Sequence, residues 1–159
     1  MKSFLVVAIV AAIAALAVYR AGAEFSLLNP EVRQVPAVSV LTDRGKRVAL
    51  RAEALDAIVV FGYTRCHDVC SLLLSRAFRD SSRKRVLFIT VDPDRDRPAI
   101  LTAYLRSWPG VEGITASPVT MARVYSAFTG SAPPRVIDDH TSQIFRVDER
   151  DEIAPLSQS

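Results

Sequence analysis

Cys66 and Cys70 are the two cysteines of a 159-residue chain, and the four-residue step between them narrows the chemistry more than any other feature. On the first turn of a helix, side chains at this step have Cβ atoms about 5 to 6 Å apart on a common face, so both sulfurs can reach one ion. They can also reach each other. Helical Cα separations at this spacing lie near the upper end of what a disulfide tolerates, so oxidation is feasible but less relaxed than with two intervening residues. The partial positive charge of a helix amino terminus favours thiolate, the form that binds metal or attacks a disulfide, and Arg65 pushes the same way. Two soft thiolates select copper(I), zinc or an iron-sulfur cluster, and an added imidazole suits copper in both oxidation states. Only His67 and His140 can supply one. His67 sits about 100° around a helix from the shared sulfur face. His140, in Asp138-Asp139-His140-Thr141, is distant in the chain and needs tertiary structure to bring it near.

The elements that would position these residues follow from apolar periodicity. Val38 to Leu41 and Lys46 to Leu50 flank the turn residues Thr42-Asp43-Arg44-Gly45 and predict a hairpin. Ala57 to Gly62 is short, β-branched and apolar throughout, as a central strand covered on both faces would be. Cys66 to about Asp80 places Val69, Leu72, Leu73, Leu74 and Phe78 mostly at helical spacing. Arg85 to Val91 is a second buried strand ended by Asp92-Pro93-Asp94. Pro98 opens a second helix running to about Ser107, with Ile100, Leu101, Tyr104, Leu105 and Trp108 on one face. Val111 to Thr115 is a short strand. Ser117-Pro118 starts a third helix whose stripe of Met121, Val124, Tyr125 and Phe128 reads as core, and Gly130 stops it. Ser142 to Val147 alternates as a strand, and a closing strand follows near Ile153. The order predicts an α/β layer structure with a largely parallel centre. Ligands of such sheets gather at the carboxyl ends of strands, where Cys66 and Cys70 lie. A strand after His140 would run beside the cysteine-bearing one and bring the imidazole to the same rim.

The amino-terminal residues differ from all the rest. Phe4 to Tyr19 is an unbroken apolar run after a single Lys2, the pattern of an export signal. It is longer than the usual signal core and somewhat short of the about 20 residues that span a membrane. Ala21-Gly22-Ala23 ahead of Glu24 has the form that signal peptidase cuts. Residues 1–23 are therefore expected to be a signal peptide or a membrane anchor, 24–36 a linker and 37–159 one domain. Either fate of the leader puts the domain on the periplasmic, extracytoplasmic side. Half the residues are hydrophobic and the formal charge is +3, part of it from Lys2 and Arg20 in the leader, with no basic runs. Nucleic acid is not an indicated partner.

Phe61-Gly62-Tyr63-Thr64-Arg65-Cys66-His67-Asp68-Val69-Cys70 resembles the metal motif of the Sco/SenC copper proteins. Val91-Asp92-Pro93-Asp94-Arg95-Asp96 and Asp139-His140-Thr141-Ser142 resemble two further segments of that family, in the same order. The resemblance implies a thioredoxin-like sheet with flanking helices and a copper ion held by Cys66, Cys70 and His140, with Asp92 either behind the ligands or capping a turn. It also implies a role in assembling the copper centre of cytochrome c oxidase, by copper delivery to the copper subunit or by thiol reduction of a client. In the second case Cys66 and Cys70 would be catalytic. The chain departs from the family pattern at His67 and Ser71, where prolines are usual, and in the apparent lack of a closing helix after its last strand. A static structural disulfide in an exported domain is the plain alternative to all of these.

Overall fold

In a computed structural model, the described residues are 32–66, 69–81, 84–134 and 137–156. The expected leader and linker up to Glu31 lie outside them, and no helix among the described residues is long and apolar enough to cross a membrane.

The sheet is built around strand β4 (Ala57–Gly62), all six of whose residues are buried. Alternation sends Ala57, Val59 and Phe61 into one hydrophobic cluster and Ile58 and Val60 into another. β5 (Arg85–Thr90) runs parallel to it in register from Ala57 opposite Arg85 to Gly62 opposite Thr90, and β6 (Val111–Thr115) continues the parallel set. On the other side of β4 comes antiparallel β7 (Ile144–Val147), with Val60 opposite Ile144. The hairpin of β2 (Ser39–Thr42) and β3 (Arg47–Ala49) joins the β6 edge, its turn closed by Gly45 at φ 75°. β8 (Glu152–Pro155) and β1 (Arg33–Gln34) complete the far edge, in the order β1-β8-β7-β4-β5-β6-β2-β3.

One face of the sheet is covered by α1 (Leu50–Ala54) and α4 (Pro118–Thr129), the other by α2 (Val69–Asp80) and α3 (Pro98–Leu105). α4 has the ends its sequence predicts: Ser117 Oγ accepts from the Thr120 amide at 3.3 Å, and Gly130 leaves the helix at φ 72°. Phe61 anchors that helix, with its ring edge-on to Tyr125 at 5.3 Å, Phe128 at 5.5 Å and Phe145 at 6.0 Å. Such pairs contribute about 0.5–1.5 kcal/mol each beyond area burial.

Three local expectations need correction. Cys66 is outside α2, in a turn where its amide donates to the Tyr63 carbonyl at 3.1 Å. α1 and β1 were not visible in the periodicity, because a five-residue helix shows barely one turn and a two-residue strand exists only through its pairing with β8. α3 ends at Leu105 rather than near Ser107. No helix follows β8 among the described residues.

Gly62 at the end of β4 is required for close packing. A Cβ there would lie 2.6 Å from Phe88 Cε2 and 2.9 Å from Cys70 Sγ. Gly62→Ala is therefore expected to destabilise the domain by about 1–3 kcal/mol through overpacking. An unchanged urea midpoint would contradict this.

Candidate metal centre

Cys70 is the second described residue of α2 and is fully buried, with its sulfur against the Gly62 backbone. Cys66 is partly exposed, and its sulfur accepts the Cys70 amide at 3.3 Å. His140 follows the 3₁₀ turn Ile137–Asp139 and precedes β7, so the β4–β7 pairing carries it to the end of β4 where the cysteines lie. Its Nε2 is 3.8 Å from Cys70 Sγ, and one donor atom from each of the three residues lies within 4.8 Å of the others. Both cysteines are free thiols. The sequence-predicted trio thus converges, while His67 and Asp68 lie outside the described residues.

The imidazole is oriented by its neighbours. His140 Nδ1 is 2.9 Å from the Thr141 carbonyl, which can only accept, so Nδ1 carries the proton and Nε2 turns a lone pair toward the sulfurs. The Thr141 amide donates to the Tyr125 hydroxyl at 2.9 Å, tying the histidine segment to α4. Tyr63 stacks edge-on against the imidazole at 5.7 Å. Tyr125 was read from sequence as core alone. It is core, and its hydroxyl also receives the segment that carries His140.

A buried carboxylate holds the cysteine turn. Asp96, 1 % exposed, accepts from the Thr64 amide at 3.0 Å, the Thr64 hydroxyl at 2.6 Å and the Thr90 hydroxyl at 2.7 Å. It thereby joins the turn before Cys66 to the end of β5. Sequence reasoning missed it, because in Asp92-Pro93-Asp94-Arg95-Asp96 nothing distinguishes the acid that turns inward. Asp92, the residue singled out there, has its carboxylate 3.1 Å from Arg95 and 4.0 Å from Arg65. Its carbonyl accepts from the Arg95 and Asp96 amides, the turn-capping role.

Electrostatics overturn one expectation. Burial, reinforced by the hydrogen bond with Cys66, pushes the Cys70 thiol up to about 12, against a smaller opposing pull from a Tyr63 backbone hydrogen bond. Desolvation therefore outweighs the helix terminus that was expected to favour its thiolate. Arg65, expected to assist, is turned toward Asp92.

This arrangement defines a class: a thioredoxin-like protein whose dithiol has gained an imidazole neighbour. The chain belongs to the SCO1/SenC family, whose family model, described as SCO1/SenC, matches residues 39–157. It is 32% identical over 109 residues to Protein SenC of Rhodobacter capsulatus, covering 59% of this chain and 49% of that protein. With the mitochondrial SCO2 homologue of Bos taurus it shares 30% identity over 126 residues, 67% of this chain and 47% of the relative. The chain thus spans about half the length of these relatives. Among solved structures, Bradyrhizobium japonicum ScoI with copper bound is 29% identical with a TM-score of 0.59, over 75% of this chain and 86% of that one.

The two thiols should differ sharply in reactivity. At neutral pH, alkylation of the native reduced protein is expected to label Cys66 and spare Cys70, which is sealed from solvent and protonated until pH rises toward about 12. Peptide mass spectrometry showing equal labelling at pH 7 would contradict this.

Proposed function

We propose that this chain is a copper metallochaperone, exported or membrane-held with its domain on the periplasmic side, that serves assembly of the copper centre of cytochrome c oxidase. Copper is its cargo, Cys66, Cys70 and His140 are the ligands, and the oxidase copper subunit or another copper or thiol client is the partner. The observation that carries this reading is the convergence of two sulfurs and an imidazole nitrogen within 4.8 Å, with the Nε2 lone pair turned toward the Cys70 sulfur. Three ligands leave a coordination position through which a client's thiolate or imidazole can enter, whereas a closed four-ligand site retains its metal. The copper-bound relative at 29% identity supports the choice of metal.

A second reading has its own support. Cys66 is accessible and Cys70 buried, the asymmetry expected of an attacking and a resolving thiol in a thiol-disulfide oxidoreductase. In that role Cys66 and Cys70 would be catalytic and His140 dispensable.

Copper(I) titration of the reduced protein separates the two. One ion per chain is expected. His140→Ala should cost more than the roughly 10–100-fold that loss of a ligand's supporting hydrogen bond costs, and should leave any reductase activity intact. Full affinity in that variant would remove His140 from the site, and reductase activity lost in Cys66→Ser alone would favour the second reading. Protease added to intact spheroplasts should degrade the domain; complete protection would place it in the cytoplasm.

A further inference from the structure

The cysteine and histidine halves of the metal centre are held in different ways. The cysteine turn is tied to the layers around it: Thr64 gives its amide and its hydroxyl to Asp96, and the Cys66 amide goes to the Tyr63 carbonyl. Hydrogen bonds within the histidine segment are short in range. The His140 amide donates to the Ile137 carbonyl at 3.3 Å, His140 Nδ1 to the Thr141 carbonyl at 2.9 Å, and the Gln143 amide to the Thr141 hydroxyl at 3.1 Å. Pairing with β4 begins only at Ile144. What joins the segment to the helical layer is the bond from the Thr141 amide to the Tyr125 hydroxyl, at 2.9 Å.

The place of that bond in the backbone matters. The Thr141 amide belongs to the peptide group that links His140 to Thr141, so fixing it fixes the plane from which the histidine side chain departs. The next peptide group carries the Thr141 carbonyl, to which Nδ1 gives its proton. One residue therefore receives the imidazole on one side and is anchored by a phenol on the other. The anchor is firm: Tyr125 is 6 % exposed, lies within α4, and sets its ring edge-on to Phe61 at 5.3 Å. A phenylalanine would fill the same core. The hydroxyl adds nothing to that packing, and its partner is the ligand's own peptide bond.

We propose that Tyr125 is a positioning residue for the metal ligand His140, acting through Thr141. By holding the Thr141 peptide it keeps the carbonyl aimed at Nδ1, which keeps the proton there and the Nε2 lone pair toward the Cys70 sulfur. A ligand oriented before the ion arrives loses little further conformational freedom on binding. This inference rests on the metal-binding reading.

Tyr125→Phe keeps the ring and deletes the acceptor. In the metal-free variant the Thr141 amide is expected to exchange with deuterium about tenfold faster, the scale of one hydrogen bond, while the β7 amides keep wild-type rates. Copper(I) affinity, measured by competition with a chromophoric chelator, is expected to fall about tenfold, the lower end for a partner that orients a ligand. On a chain already carrying His140→Ala, the same substitution is expected to leave affinity where it was, because the residue through which it acts is gone. Unchanged affinity or unchanged Thr141 exchange in the single variant overturns the proposal. So does an equal loss with and without His140, or β7 amides that quicken as much as Thr141, either of which would make Tyr125 a packing residue only. A wild-type chain that takes up no copper overturns the metal-binding reading and this inference together, an outcome distinct from a wild type that binds and a variant that matches it.

Discussion

Antiparallel pairing of β7 with β4 is the constraint on which the rest of the molecule depends. Two cysteines four residues apart are a local feature that one turn and one helix can supply. The imidazole is 70 positions away from Cys70, and only the register that sets Ile144 opposite Val60 delivers it to the same rim. A slip of one residue would turn Phe145 and Val147 out of the cluster they share with Phe61 and Phe128, so the hydrophobic pattern that fixes the register also fixes the site. The histidine's location is in this sense a by-product of core packing.

Around that pairing, polar contacts finish what the sheet begins. The phenol of Tyr125 is held by the Phe61 ring and in turn holds the amide next to His140. Asp96 is a carboxylate buried without a paired cation among the described residues, sustained by three donors from two threonines. Buried charge of this kind is tolerated only where hydrogen bonds are complete, and it makes the geometry of the cysteine turn hard to distort.

Much of this was legible in the residues. Ala57–Gly62, Val111–Thr115 and α4 with its Ser117 and Gly130 ends fall where apolar period and capping chemistry place them. Cys66, Cys70 and His140 were identifiable by residue type and by their order in the chain. What was not legible is of another kind. β1 exists only through a partner more than a hundred residues away. The inward turn of Asp96 and the second duty of Tyr125 depend on where side chains of different elements meet, which no local period encodes. The protonation of Cys70 was misjudged for a related reason: a helix terminus is visible in sequence, whereas depth of burial is a property of the assembled layers.

The unequal depth of the two sulfurs gives the site a direction. One rests on backbone at the end of β4, where even a methyl group finds no room, and the other meets solvent. Of the two sulfurs, the one on Cys66 is the one a molecule in solution can touch. The packing thus makes two chemically identical groups unequal, a surface one and a sheltered one.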